Sequence, residues 1–326
     1  MTTEDSEKEL TYAESGVDIA ASEAATAALI GAVGESDGDY AGLLDIGDRY
    51  LALATDGVGT KLLVAEALED YSTIGIDCIA MNVNDLVAAG VRPVAFVDYL
   101  AVEEPDEGFA QQVGEGLAFG ADQSDIELVG GETAVMPDVI KGLDLAGACA
   151  GLAAKDALFD GTAEPGDMLV GWASSGIHSN GLTLARTAAT QTHDYTDPFP
   201  YGGYETIGEA LLEPTRIYTH LLDPMREAGV RGAAHITGGG WTNLERLGTN
   251  RYVIQEPYDA QAVFEFIQAE GNVSDSEMHT TFNMGTGFVA AVADESAAQS
   301  LADTTDGRVI GRVEDGDGVA VRGLEL

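Results

Sequence analysis

Basic side chains are scarce in this sequence. Lys and Arg number 15 against 56 Asp and Glu, for a formal charge of −41 over 326 residues. Sequence-independent binding to nucleic acid is thereby excluded, because neutralising phosphates takes many cations. Any anionic ligand has to be met by a few local groups. Cysteine is nearly absent too: Cys78 and Cys149 lie in apolar runs without CxxC spacing. This excludes a disulfide framework or a cysteine zinc site and predicts two buried thiols in a reducing compartment. There is no uninterrupted apolar run of about 18 residues, and the polar, acidic stretch Met1–Leu10 has no signal-peptide core, so a cytoplasmic protein with no membrane partner is expected. Two catalytic signatures are missing as well. Without the Gly-Lys-Ser/Thr ending of a Walker loop, a nucleotide must be held another way, and without a Gly-x-Ser-x-Gly elbow there is no case for an acyl-enzyme.

What is present describes a folded protein. Hydrophobic residues make up 45% of the chain and the mean hydropathy is +0.02, enough for two domains with cores of their own. The acidic residues are spread along the whole length, as in Glu103, Glu104, Asp106 and Glu107 or Glu314, Asp315 and Asp317, and read as a solvated surface. Self-repulsion of that size is screened when the Debye length falls to about 3 Å in 1 M salt, which predicts a halophilic source.

Ile19 to Val33 is Ala-rich with a weak helical period. Tyr50 to Thr55 reads as a buried strand that delivers Asp56 at its end, and Asp56-Gly57-Val58-Gly59-Thr60-Lys61 opens the following helix. A helix is expected over Ile74 to Ala89, a strand over Pro93 to Ala101, a helix over Phe109 to Gly120, and a strand over Ile126 to Val129 that runs into a turn at Gly130-Gly131-Glu132-Thr133. Leu143 to Ala154 is again strand-like. The polar Gly/Pro segment Asp160 to Asp167 marks a boundary between domains 1–159 and 160–326. Beyond it come a strand over 168–173, a turn over Ser174 to Gly181, helices over 182–190 and near 214–228, and a turn at His235 to Gly240 before another helix. This alternation predicts the α/β class, as two domains with mixed sheets of the α+β type.

Four Gly-rich turns carry polar residues: Asp56 with Lys61, Glu132 with Thr133, His178 with Ser179 and Asn180, and His235 with Thr237. Any one of them is explained by glycines punctuating turns and by Ser or Thr capping helices, whereas four together point to a ligand site. Gly57 and Gly59 let the backbone approach a ligand between the opposite charges of Asp56 and Lys61, an arrangement suited to a metal-bound phosphate. Asp77 and Asn84 share one side of their helix, with Asp85 beside them. If Asp56, Asp77 and Asp85 converged, each pair at ~4 Å would repel by about 4 kcal/mol at an effective dielectric of about 20, so a cation would be needed. Oxygen-only ligation selects Mg2+, which shares its shell with phosphates, and ATP is the obvious supplier. The alternative is that Asp77 and Asp85 are surface charges of a helix in a very acidic chain. Of the five histidines, His178 and His235 lie in Gly-rich turns, where an imidazole can meet a ligand and titrate near neutrality; His193, His220 and His279 read as structural.

In order along the chain, a series of segments resembles the phosphoribosylformylglycinamidine cyclo-ligase family of purine biosynthesis, also called AIR synthetase or PurM. They are Tyr12 to Ile19 (YAESGVDI), Thr55 to Lys61 (TDGVGTK), Ile74 to Leu86 (IGIDCIAMNVNDL), Phe96 to Tyr99 (FVDY), Leu128 to Pro137 (LVGGETAVMP), Ser174 to Gly181 (SSGIHSNG), Leu211 to Tyr218 (LLEPTRIY), His235 to Gly240 (HITGGG) and Phe282 to Phe288 (FNMGTGF). The resemblance implies a two-domain PurM-like ATP-binding fold and a homodimer in which the N-terminal domains pair their sheets into a shared barrel. It implies ATP-dependent closure of formylglycinamidine ribonucleotide to 5-aminoimidazole ribonucleotide through an iminophosphate, with release of ADP and phosphate. It also implies roles for residues: Asp56, Asp77 and Asp85 toward Mg2+; Gly57, Gly59, Thr60 and Asn84 around ATP; and Lys61 neutralising phosphate oxygens. Gly131, Glu132, Thr133, Ser175, Gly176, Ser179, Asn180, Gly238 and Gly239 would bind substrate or phosphate, with His178 and then His235 transferring a proton. One departure stands out. Gly34 to Gly47 (GESDGDYAGLLDIG) is acidic and short where family members often carry a Lys/Arg-bearing segment and a Gly-Phe-Gly type loop, which shifts phosphate neutralisation onto Lys61. Three relatives of the same fold fit less well. Selenophosphate synthetase expects a reactive residue near the N-terminus and the hydrogenase maturation protein a Cys-bearing tail, while thiamine-monophosphate kinase lacks GGETA and SSGIHSNG.

Overall fold

The computed structural model describes residues 9–17, 24–29, 40–159 and 161–326. The Ala-rich helical stretch expected over 19–33 lies largely outside them, as do Asp18, Ile19 and residues 34–39; residues 24–29 form a short exposed helix, α1. The first sheet contains β1 (Gly42–Asp45), β2 (Arg49–Gly57), β3 (Arg92–Val102), β4 (Glu127–Val135) and β5 (Leu143–Ala154), in the order β1-β2-β5-β3-β4. Only β3 and β4 run parallel.

Alternation along these strands gives the sheet two different faces. Ala52, Ala54, Phe96, Leu100, Leu145 and Cys149 point inward and are buried beneath α3 (Ile74–Ala88) and α4 (Glu107–Ser124). Asp106 caps α4 by accepting from the Gly108 and Phe109 amides. The two helices touch backbone to backbone, since a Cβ on Gly75 would fall 2.4 Å from Leu117 N. On the other face Leu53, Val97 and Tyr99 are 53%, 40% and 44% exposed, opposite Ala150, Ala148 and Ala146 of β5. That face is largely apolar and, among the described residues, has no cover.

The second sheet has seven strands in the order β12-β11-β8-β10-β6-β9-β7: β6 (Met168–Ala173), β7 (Val230–His235), β8 (Arg251–Ile254), β9 (Thr286–Val292), β10 (Arg308–Glu314), β11 (Gly318–Val321) and β12 (Leu324–Glu325). Only β8 and β11 are parallel. The central strands are apolar throughout because both faces are covered. Val170, Trp172, Phe288 and Ala290 pack against α7 (Leu222–Glu227) and α10 (Glu295–Thr304), and Leu169, Val289 and Ala291 pack against Trp241 and Leu244. The helices α2 (Leu62–Leu68), α5 (Leu182–Ala189), α6 (Ile207–Leu212), α8 (Ala262–Gly271) and α9 (Asp275–Thr281) complete the two layers. Both cysteines are free and buried, and burial pushes both thiols up, Cys149 to about 12. Among the described residues no helix is long and apolar enough to cross a membrane.

The mixed-sheet, two-domain α/β class read from the sequence is the fold that forms. Three elements differ from expectation. Gly130–Thr133 is not a turn but the middle of β4, held in register with β3 as Val97↔Gly130 and Asp98↔Gly131. The helix expected near 214–228 is reduced to α7 preceded by a 3-10 turn at Thr219–Leu221, and residues 213–218 form no regular element. The helix after the His235–Gly240 turn is a 3-10 helix, Gly240–Leu247.

Candidate active site

Helix α3 is buried along nearly its whole length yet carries Asp77, Asn82 and Asn84 with no exposed surface. Buried polar groups need partners, and those of α3 organise the site. Asp77 Oδ1 accepts from Lys61 Nζ (2.9 Å), from the Thr215 amide (2.8 Å) and from the Thr215 hydroxyl (2.6 Å), while Lys61 Nζ lies 2.8 Å from Oδ2 and also donates to the Glu213 carbonyl (2.7 Å). This pair corrects two expectations. Lys61 is not positioned to neutralise a phosphate, since its ammonium faces the interior, where burial draws its pKa down against the pull of Asp77. Asp77 is the counter-ion of that lysine and is not one of three converging metal carboxylates, because a charge so deep has to be matched where it lies.

Asn84 donates to the Arg216 carbonyl and accepts from the Tyr218 amide, both at 2.8 Å. Together Asp77 and Asn84 bind residues 213–218 to α3 as a strap, using side chains where a sheet would use main chain. The strap also grips the Ser174–Gly181 turn: Ser175 Oγ donates to the Pro214 carbonyl (2.6 Å), and the Ser179 and Thr215 hydroxyls are 3.1 Å apart. Thr60, in the first Gly-rich turn, meets Thr183 at 2.9 Å.

Asp56 ends β2 on the inward face, with Oδ1 accepting from the Gly57 amide (2.7 Å). Burial, and next the charge of Asp85, raise its carboxyl to about 6. Asp85 Oδ1 is 2.9 Å from His235 Nδ1, and the other ring nitrogen lies 3.4 Å from the Asn84 amide nitrogen. A donor near Nε2 leaves the imidazole proton on Nδ1, directed at Asp85. Among the described residues no group of three His, Cys, Asp or Glu is arranged to hold a metal ion. Asp56 and Asp85 remain as neighbouring carboxylates, a donor set that suits Mg2+, which takes one or two protein carboxylates and completes its shell with phosphate and water.

His178 is 1% exposed and sits at φ 65°, a left-handed conformation that side chains rarely adopt. Its Nε2 accepts from the Ser175 amide (3.2 Å), and its Nδ1 is buried without a partner. Burial, with the charges of His235, Lys61 and Arg216, holds its pKa well below the usual imidazole range. The neutral ring therefore carries its proton on Nδ1. The His178 and His235 rings are 6.5 Å apart, and Tyr218 lies between 6 and 7 Å from both, at 6.3 and 6.4 Å. Gly287 makes room for this group, since a Cβ there would fall 2.1 Å from the Tyr218 hydroxyl.

Gly238 and Gly239 line a cleft of about 890 Å³ together with Thr11, Tyr12, Thr242 and Arg246. The turn adjoins Asn180, whose Oδ1 would lie 3.3 Å from a Cβ on Gly238. Asn84 and Asp85 on α3, Asp56 and Gly57 at the end of β2, His235 at the end of β7, and Gly59, Thr60, Ser175, Gly176, His178, Ser179, Asn180, Gly238 and Gly239 in the turns thus meet around α3. Gly131, Glu132 and Thr133 do not join them: Glu132 is opposite Tyr99 in the ladder, on the uncovered face of the first sheet. Sequence reasoning missed Thr215, Tyr218 and Arg216. Their signal was the EPTRIY segment itself, with an arginine in a chain that has few.

The family model for the N-terminal domain of AIR synthase related proteins matches residues 38–153, and that for the C-terminal domain matches residues 164–323. A phosphoribosylformylglycinamidine cyclo-ligase of Methanosarcina acetivorans is 49% identical, over 98% of this chain and 99% of its own length. The chain belongs to the phosphoribosylformylglycinamidine cyclo-ligase family. A second cyclo-ligase, from Pyrococcus horikoshii, is 48% identical over 90% of each chain. The fold itself is wider than the cyclo-ligases. Thiamine monophosphate kinase of Aquifex aeolicus superposes with a TM-score of 0.67 at 18% identity, covering 94% of this chain and 98% of that one. In this cyclo-ligase family member the segments DGVGTK, SSGIHSNG, EPTRIY and HITGGG are those gathered by the polar residues of α3.

Proposed function

We infer that this protein closes formylglycinamidine ribonucleotide to 5-aminoimidazole ribonucleotide at the expense of ATP, releasing ADP and phosphate in purine biosynthesis. The observation that carries this reading is near full-length identity to cyclo-ligases in a chain whose family segments meet at one place. The chemistry suits such a site. An amide carbonyl is a poor electrophile; when its oxygen attacks the γ-phosphorus, a P–O bond forms, the bond to the β-phosphate oxygen breaks, and ADP leaves with that electron pair. An internal nitrogen then adds to the activated carbon and loses a proton, and phosphate departs with the former amide oxygen. Both partners of the ring closure lie in one molecule, so orientation, charge neutralisation and proton transfer are what the protein must supply. No enzyme nucleophile is required.

In this reading Asp56 and Asp85 hold Mg2+, which when bound neutralises ATP phosphate oxygens, and Gly57, Gly59 and Thr60 approach the nucleotide. The amides of Gly176, Ser179, Asn180, Gly238 and Gly239 face substrate or phosphate, and Ser175, whose amide is taken by His178, holds the turn in place. His235, whose Nδ1 faces the Asp85 carboxylate, is better placed to accept a proton than His178, which among the described residues has no carboxylate beside its ring. Residues 1–159 form the ATP-binding and dimerisation half and residues 160–326 the second half. The uncovered apolar face of the first sheet supports a homodimer that pairs two such faces into a barrel, which would also bring Glu132 and Thr133 to the subunit junction. The test is direct: protein, Mg-ATP and formylglycinamidine ribonucleotide are mixed in molar KCl, and ADP and aminoimidazole product are followed. ADP release without aminoimidazole would refute the assignment.

A further inference from the structure

With Lys61 locked into the interior, the site needs another cation to meet phosphate. Most lysines and arginines of the described residues are engaged by carboxylates, among them Lys141 with Glu103, Lys155 with Asp45, Arg92 with Asp223 and Arg251 with Glu325. Arg216 is exposed and, like Arg246 and Arg308, pairs with no carboxylate among the described residues, but those two lie over the rings of Tyr40 and Tyr258, whereas Arg216 reaches the site. In a chain of −41 an exposed guanidinium left without a counter-ion is notable. It is also held in place. Its carbonyl is bonded by Asn84, and its Nη1 donates to the Ala173 carbonyl (3.1 Å), the residue before the Ser174–Gly181 turn, which leaves Nε and Nη2 as a free fork. The Tyr218 hydroxyl donates to the same carbonyl at 2.8 Å. The guanidinium charge also reaches His178, where it helps burial keep the imidazole neutral.

We propose that Arg216 is the guanidinium that binds the phosphoryl group as it passes from ATP to the amide oxygen, the role the sequence pattern gives to Lys61. This rests on the cyclo-ligase reading. A planar fork suits phosphate oxygens better than an ammonium, and it acts where negative charge gathers in transfer. The bound ATP phosphates and the iminophosphate would lie beside the Ser174–Gly181 turn, on the side of the strap away from Lys61.

The experiment compares wild type with Arg216→Ala, Arg216→Lys and Arg251→Gln in molar KCl. Arg251→Gln removes a remote positive charge and is expected to turn over like wild type. Arg216→Ala is expected to lose about a hundred- to a thousandfold in kcat, with KM for the ribonucleotide little changed and with part of the loss restored by free guanidinium. Arg216→Lys should fall between. Wild-type turnover in Arg216→Ala, or an equal loss in Arg251→Gln, overturns the proposal. A parallel thermal-shift titration with inorganic phosphate keeps the two readings apart. If wild type makes no aminoimidazole the cyclo-ligase reading fails, and Arg216 is then judged by whether phosphate stabilises wild type but not Arg216→Ala; equal responses overturn it. Should Arg216→Ala fail to fold, Arg216→Lys carries the same comparisons.

Discussion

Lys61 is one of four lysines in the sequence, and none of its surface reaches water. Replacing it by Met would leave Asp77 ionised and unmatched in the interior, at a cost of about 3–5 kcal/mol. Adding Asp77→Leu should recover only part of that, because the amide and hydroxyl of Thr215 would then lose their acceptor, at about 1–3 kcal/mol for each group left unpaired. Denaturant unfolding in molar KCl measures both; a Lys61→Met protein as stable as wild type would contradict the pair's role. Asp56 behaves in the opposite sense. Its folded pKa is raised to about 6, so its ionisation opposes folding: the penalty is absent at low pH, grows as pH climbs past the ordinary carboxylate range, and is complete above about 6. Without Mg2+, Asp56→Asn should therefore be more stable than wild type near neutrality. The gap should close as pH falls toward 4, and thermal melts across pH would show it. The sequence revealed that Asp56 and Lys61 were special, but not that they face different ways. The fate of Asp56 is set by burial and then by Asp85, and that of Lys61 by Asp77 and by the carbonyl of Glu213, which lies 152 positions further on.

At the scale of elements, α3 is both core and scaffold. Its apolar residues fill the space beneath the first sheet, and its amides hold the strap. Asn84→Ala would strand the Tyr218 N–H and the Arg216 carbonyl, costing about 1–3 kcal/mol apiece. Faster amide exchange at Tyr218 and a lowered melting temperature are the expected signs. Where the sequence carries a periodic or strongly apolar pattern, elements were legible: the expected helix at 74–89 and strand at 143–154 appear as Ile74–Ala88 and Leu143–Ala154. The turn expected at Gly130–Thr133 was not, because glycines that usually break a strand are kept in one here by a parallel partner more than 30 residues earlier. The strap was opaque for the same reason. An irregular segment has no period of its own, and its partners are supplied by a helix 138 positions before it.

At the scale of the whole molecule, charge and apolar surface make separate demands. A chain of −41 should gain stability from low to molar KCl as repulsion is screened, and an unfolding midpoint indifferent to salt would contradict a halophilic origin. The bare face carrying Leu53, Val97 and Tyr99 should be covered by a second copy. Sedimentation in molar KCl is expected to show a dimer for wild type and a monomer for Val97→Asp, whereas a monomeric wild type would count against the shared barrel. The two effects would work together, since screening is also what would let two copies of so acidic a chain approach.

The side-chain strap between the halves bears on how this enzyme can diverge. Strands pair through backbone and tolerate most substitutions, but this joint depends on the identity of Asp77 and Asn84 in one half and, through its hydroxyl, of Thr215 in the other. A C-terminal half from another lineage should therefore dock on this N-terminal half most readily where it keeps a hydroxyl at position 215, since the other groups of residues 213–218 that Asp77 and Asn84 hold are main-chain.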